Sequence, residues 1–374
     1  MNTQDLRTPC YIVQQDKLLE NLKILASVKE ATGCKILLAQ KAFSMFALYP
    51  LIGDYLDGTA ASGLYEARLG KEEMKGEVHI YSPGYREDEI EEILGYCDHI
   101  IFNSPSQLSQ FKARCLRAHK SIGLRINPEC STQIGHEIYD PCAPGSRLGT
   151  KTHLLDQELL EGVEGLHFHT LCEQGADALE KTLMAFEEKC GPYLKNLKWV
   201  NFGGGHHITR EGYDLERLKR CILAFKEKYD VDVYLEPGEA IALNAGLLVT
   251  RVLDVLEEEP ACAILDVSAA CHMPDVLEMP YRPPLKNSGL PGEKAWTCRL
   301  GGPTCLAGDI IGDYSFDQPL QSGDILVFED MAIYTMVKTN TFNGMRLPDI
   351  LLEENKELRM IKQFDYDDFK NRLS

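Results

Sequence analysis

Residues 34–43 read CKILLAQKAF, an apolar run through Ile36, Leu37, Leu38 and Ala39 that gives way to Gln40 and Lys41. A short, uninterrupted apolar run is the mark of a strand buried on both faces, as in a parallel sheet covered by helices. A lysine at the end of such a strand has two readings. It either snorkels to water, or it is desolvated toward the neutral amine that attacks carbonyls and forms Schiff bases.

The same kind of run recurs down the chain: LDGTAA (56–61), EVHIY (77–81), DHIIFN (98–103), SIGLRI (121–126), GLHFHT (165–170), KWVNF (198–202) and VDVYLE (231–236). With 34–40 these make eight strand candidates, most followed by a helical pattern such as REDEIEEILG (86–95) or LERLKRCILAFKEK (215–228). Eight strand-helix units predict an α/β fold of the TIM (β/α)8 barrel type, with the active site at the C-terminal ends of the strands. A doubly wound open sheet is the alternative. After residue 243 the rhythm changes to strand-like, turn-rich segments such as GLLVTRVLDVLE and GDILVFEDMAIYTMVK. The expected division is a barrel over 16–242 and a C-terminal, mostly-β domain over 243–374, joined by an N-terminal strand within 1–15. The polar segment CSTQIGHEIYDPCAPGS (130–146) reads as a mobile loop near the site.

A net charge of -18 over 374 residues argues against a nucleic-acid or anionic-membrane partner and favours a cationic small molecule. No stretch is apolar enough to span a bilayer, and the start MNTQDLRTPCYIV lacks the layout of a secretion signal. Thirteen cysteines are scattered without paired CxxC spacing, as expected of thiols in a reducing, cytoplasmic setting.

Several residue patterns suggest chemistry. Gly203, Gly204 and Gly205 follow a strand candidate in NFGGGHH, where backbone N–H groups can approach a phosphate; a plain tight turn is the bland reading. Glu236 ends another strand candidate, in YLEPGEA, and could keep a pyridine nitrogen protonated. His167 and His169, two apart, face one side of a strand. They could bind a metal, or one could stack on a planar cofactor; no carboxylate-rich ligand set accompanies them, so no metal is expected. Cys305 follows a Gly-Gly-Pro-Thr turn, as a proton donor would, with Asp309, Tyr334 and Asn343 further on.

In order, the motifs LLAQKAF, SRLGT, HFHT, FGGGHH, EPGEA, GGPTC and MAIYTMVKTNTFNG make a sequence that resembles the pyridoxal-phosphate decarboxylases of the alanine-racemase fold over nearly its whole length. The stretch LDVSAACHMPDVLEMPYRPPL (265–285) favours a subgroup acting on carboxylated polyamines. The resemblance implies a lyase that binds pyridoxal 5'-phosphate, with Lys41 as the Schiff-base lysine and His169 stacked on the cofactor ring. It also implies Glu236 at the ring nitrogen, Gly203 to Gly205 and Tyr334 on the phosphate, Arg147 near the ring and Glu66 behind the cofactor. Cys305 matches a catalytic cysteine contributed across a homodimer with shared active sites. Three departures stand out. Glu239 replaces an arginine after the EPG turn, Leu306 replaces an aspartate after the cysteine, and HTLCEQ replaces a small Gly/Ser-containing loop, which puts the contacts near Cys172 and Glu173 in question. The substrate amines would then meet Glu239, Asp275 or Asp309. Rival readings are a diaminopimelate- or ornithine-type decarboxylase, a racemase, a non-catalytic cofactor-binding regulator, and a metal-dependent hydrolase using His167 and His169.

Overall fold

The computed structural model describes residues 5–133 and 137–374; part of the expected loop at 130–146 therefore lies outside the described residues. The chain falls into two compact units, Asn21–Ile241 and a second built from Ala242–Ser374 with the N-terminal stretch up to Glu20.

The strands in chain order begin with β1 (Cys10–Gln14), which belongs to the second unit. The first unit holds β2 (Lys35–Ala39), β3 (Gly58–Ala61), β4 (Glu77–Tyr81), β5 (His99–Phe102), β6 (Ser121–Asn127), β7 (Thr150–Lys151), β8 (Gly165–His167), β9 (Trp199–Asn201) and β10 (Asp232–Leu235). Eight of them close in the order β5-β4-β3-β2-β10-β9-β8-β6, with β6 pairing back onto β5, and β7 adds only a two-residue flap on β6. Every pairing is parallel. The eight strand candidates are the eight staves of this barrel, which excludes the open sheet.

Two of the helices between the strands start at side-chain caps. Ser104 accepts a hydrogen bond from the N–H of Gln107 ahead of Pro105–Arg117, and Asp214 does the same for Arg217 ahead of Leu215–Tyr229. Inside the barrel the indole of Trp199 lies against two glycines. A Cβ on Gly165 would come 2.1 Å from it and one on Gly123 2.5 Å, so only glycine admits the ring.

The second unit is mostly β. Its strands are β11 (Gly246–Leu256), β12 (Ala261–Leu265), β13 (Trp296–Gly301), β14 (Ile310–Phe316), β15 (Ile325–Glu329), β16 (Asp349–Glu354) and β17 (Glu357–Lys362). β1 lies between β11, antiparallel, and β16, parallel. Tyr11, Leu248, Leu265, Tyr314 and Phe328 form its core. No helix among the described residues is long and apolar enough to cross a membrane.

Candidate active site

Register does the assembly. Arg125 on β6 is aligned with His167 on β8, and His167 with Asn201 on β9, so three polar side chains stand side by side in neighbouring strands. Glu236 follows β10, the next stave, and Lys41 follows β2, the one after. Lys41, Ser62, Tyr81, Arg125, His167, His169 and Glu236 line one cavity within the barrel unit, at the C-terminal ends of its strands.

Glu236 is buried, and its two oxygens are both held. Oε1 accepts from the Asn201 amide at 2.7 Å, and Oε2 lies 3.2 Å from His167 Nε2. Burial alone would raise its pKa; His167, His79 and the Asn201 amide outweigh it and hold the group down to about 2. Burial lowers His167 despite the pull of Glu236, so a neutral imidazole donates its Nε2–H to an ionised carboxylate.

Lys41 is open to the cavity but enclosed by protein on its other sides. That desolvation, followed by the nearby Arg125 guanidinium, lowers its pKa against the attraction of Glu236 and Glu66. Its ε-amine makes no hydrogen bond or ion pair among the described residues, so its capacity to bond is unspent. Arg125 is buried, donates to the His169 carbonyl at 3.2 Å and lies 4.5 Å from the Tyr81 ring centroid, a cation-π contact. Tyr81 in turn donates to Asn103 at 2.7 Å.

His169 sits where the backbone turns past Gly204, whose N–H donates to its Nδ1 at 3.1 Å. Burial, Lys41 and Arg125 hold its pKa well below the ordinary value, so it is a neutral ring with its hydrogen on Nε2. His167 and His169 have their rings 6.5 Å apart and different partners, Glu236 for the first and the Gly204 N–H for the second. Glu66 accepts from the Ser62 N–H at 2.6 Å, and burial raises its pKa.

The glycine loop is bonded to its neighbours in the barrel. Gly203 has φ +71°, and a Cβ there would meet the Phe168 carbonyl at 2.4 Å; the turn needs glycine because the β8 segment passes so close. Its N–H is spent on Asn201 Oδ1 at 2.8 Å, as that of Gly204 is on His169. Two of the three N–H groups thus position site residues, while that of Gly205 has no acceptor among the described residues. Arg147 is exposed and gives its carbonyl to Asn103, while its neighbour Leu148 lines the cavity. Glu239 lies 3.2 Å from His207 Nε2.

The remaining candidates are in the second unit. Cys305 is exposed, its turn fixed by its N–H to Asn343 Oδ1 at 2.7 Å. Asp309 is buried, with Oδ1 accepting from Ser268 and Ala270 and Oδ2 from Thr304 at 2.6 Å. It therefore braces the Cys305 turn and has little left to offer a substrate amine. Asp275 is ion-paired with Lys338. Tyr334 is half-buried in the left-handed region, φ +49°.

Sequence reasoning missed Arg125, Tyr81 and Asn201. The signal for Arg125 was there, since an arginine inside the otherwise apolar SIGLRI run must be paired or stacked if the strand is buried.

A cavity with a desolvated amine facing a buried anion is what a pyridine aldehyde requires, and the family model "Pyridoxal-dependent decarboxylase, C-terminal sheet domain" matches residues 10–332. The chain belongs to the pyridoxal-dependent decarboxylases. This decarboxylase is 46% identical over 99% of both chains to a carboxynorspermidine/carboxyspermidine decarboxylase of Campylobacter jejuni. It is 43% identical, over 98% of its own length and 96% of the relative's, to a carboxyaminopropylagmatine decarboxylase of Synechocystis. A crystal structure of carboxynorspermidine decarboxylase from Campylobacter jejuni complexed with norspermidine superposes with a TM-score of 0.91 at 45% identity, covering 98% of this chain and 100% of that one.

Proposed function

We propose that the protein decarboxylates carboxynorspermidine or carboxyspermidine, giving norspermidine or spermidine and carbon dioxide. The observation that carries the reading is the pairing, in one cavity, of a Lys41 amine of lowered pKa with an ionised, buried Glu236. The similarity to relatives of those names over the full chain supports the substrate class.

The residues fit pyridoxal 5'-phosphate. Lys41 would hold it through its unspent amine, Glu236 would face its ring nitrogen, His169 would lie on its ring, and Gly205 would meet its phosphate, with Arg147 and Glu66 nearby; Tyr334 is assigned to the phosphate by the family resemblance alone. Bound there, the cofactor supplies an electron sink for the pair left when carbon dioxide departs.

The chain's own part is positional and protonic. Glu236, ionised and fixed by His167 and Asn201, would accept a hydrogen bond from the ring N–H and keep that proton in place. Arg125 buttresses the His169 backbone by donating to its carbonyl, and the neutral His169 would add no charge beside the cofactor. Loss of carbon dioxide leaves a carbon that needs one proton. The exposed Cys305 thiol is the donor we assign, delivered from the second copy of a homodimer. Glu239 accepts a hydrogen bond from a substrate ammonium; Asp275, shared with Lys338, contributes less, and Asp309 shapes the Cys305 turn. The free thiols suit a reducing, cytoplasmic setting.

A second reading, decarboxylation of carboxyaminopropylagmatine, is favoured by the Synechocystis relative. Carbon dioxide release by the cofactor-loaded protein from carboxynorspermidine, carboxyspermidine, carboxyaminopropylagmatine, diaminopimelate and ornithine decides. Turnover of the carboxylated triamines above all others is expected. Preference for the guanidino compound installs the second reading, and turnover of diaminopimelate or ornithine alone overturns both.

A further inference from the structure

Asn103 directly follows β5 at the C-terminal end of the barrel. In the closed strand order β5 and β10 are four staves apart in either direction, so Asn103 stands across the barrel mouth from Glu236. Its side chain bonds in three directions. Nδ2 donates to the Arg147 carbonyl at 2.9 Å, and Oδ1 accepts from the Gly149 N–H and from the Tyr81 hydroxyl, both at 2.7 Å. Its backbone carbonyl accepts from the Thr150 hydroxyl at 3.0 Å.

We propose, on the reading of this cavity as the site of decarboxylation, that Asn103 is a positioning residue for substrate binding: it holds the 147–150 turn and Tyr81 together as one wall of the cavity. Leu148, within the turn, and Tyr81 both line that cavity. An N–H can only donate and a carbonyl can only accept, so the Gly149 and Arg147 backbone groups fix which end of the amide faces each. Aspartate in this place would set a carboxylate oxygen against the Arg147 carbonyl, and leucine would make none of the three bonds. The turn itself has little room to adjust. Gly149 has φ +85°, and a Cβ there would come 2.9 Å from the Asn127 nitrogen on β6.

Two routes lead from the amide into the cavity. The first is the turn, which sets Leu148 in the wall. The second passes through Tyr81, whose ring centroid lies 4.5 Å from the Arg125 guanidinium, and through Arg125 to the His169 carbonyl at 3.2 Å. Lys41 and Glu236 follow other staves, and Glu236 is clasped by His167 and Asn201 without help from this network. An uncharged wall contact binds ground and transition state alike, so its loss raises KM and spares kcat. Disturbing Arg125 and His169 lowers kcat as well. The two routes are therefore separable.

The test compares Asn103→Asp with Asn103→Leu in the cofactor-loaded enzyme, by the kinetics of carbon dioxide release and by visible circular dichroism of the bound pyridoxal 5'-phosphate. Asn103→Asp keeps an acceptor for Tyr81 and loses the donor to Arg147. It should raise KM about fivefold or more, with kcat within about twofold of the parent and the dichroism unchanged. Asn103→Leu releases Tyr81 as well, and should raise KM, lower kcat and alter the dichroism. Gly149→Ala disturbs the same turn from its other side; it should repeat the Asn103→Asp result, and stands in for that variant if it does not fold. A KM within about twofold of the parent in the folded variant, or identical kinetics and dichroism in Asn103→Asp and Asn103→Leu, overturns the proposal. Turnover of no carboxylated polyamine by the parent defeats the proposed function instead. Hydrogen exchange then decides on Asn103: a Gly149 amide that exchanges about fivefold or more faster in Asn103→Asp than in the parent is expected, and equal rates overturn its role.

Discussion

Glu236→Gln isolates a charge with little change of shape, and the surroundings dictate how the amide must sit. Asn201 cannot turn over, because its Oδ1 already accepts the Gly203 N–H at 2.8 Å, so its amide continues to donate to the new side chain's oxygen. The glutamine NH2 then faces His167 Nε2. That imidazole can move its hydrogen to Nδ1, which has no partner among the described residues, and accept. The variant should fold. Its loss is the charge on two hydrogen bonds, each worth roughly 1.5–3 kcal/mol to an ion against about 0.5–1.5 kcal/mol between neutral groups.

Acid stability offers a second estimate. A native pKa of about 2 against an ordinary 4.5 corresponds to roughly 3 kcal/mol of stability. The native value is depressed, so this stability is fully present above pH 4.5 and is lost as pH falls toward about 2. Glu236→Gln should be about 2–3 kcal/mol less stable at neutral pH and flatter across the acid window. With the ring nitrogen deprived of its anion, kcat should fall about 10- to 150-fold, the equivalent of one charge-assisted bond. The assays are carbon dioxide release under saturating substrate and unfolding curves from pH 7 down to pH 2. A kcat within about threefold of the parent refutes the assignment of Glu236 to the ring nitrogen, and parallel loss of stability in both proteins refutes the pKa argument.

Lys41→Ala should abolish covalent retention of cofactor after borohydride reduction and nearly all turnover; cofactor trapped on another lysine would contradict the role of this amine. Cys305→Ala should slow product formation and divert part of the flux to an aldehyde through misplaced protonation, and an unchanged product ratio by chromatography would remove the thiol from the reaction. Glu239→Gln should raise KM about fivefold at constant kcat, since a charged contact becomes a neutral one, whereas Asp275→Asn should shift KM less because Lys338 already holds that carboxylate. Gly165→Ala should cost about 1–3 kcal/mol by calorimetry through the clash of its Cβ with Trp199; an unshifted melt would mean that the barrel interior yields more than its packing indicates.

The barrel was legible in the sequence because each stave is a short apolar run with its own helix, a local pattern that needs no knowledge of its neighbours. Lys41, His169 and Glu236 were legible because each stands at the end of such a run, where a barrel gathers its chemistry. Partners were not. That Glu236 is clasped by His167 and Asn201, and that Arg125 lies under Tyr81, depends on the register of strands far apart in sequence, which no local pattern encodes. The three glycines looked alike, yet hydrogen-bond geometry spends the N–H groups of two on positioning Asn201 and His169 and leaves one. Asp309 and Asp275 read as candidate partners for the substrate amines, and folding gave one to Ser268, Ala270 and Thr304 and the other to Lys338. The sequence by itself determined which segments become strands and which residues reach their ends, because burial is written in composition and period. The tertiary structure decided which charges remain unpaired, because pairing is a property of distances between segments, and that is where the chemistry is set.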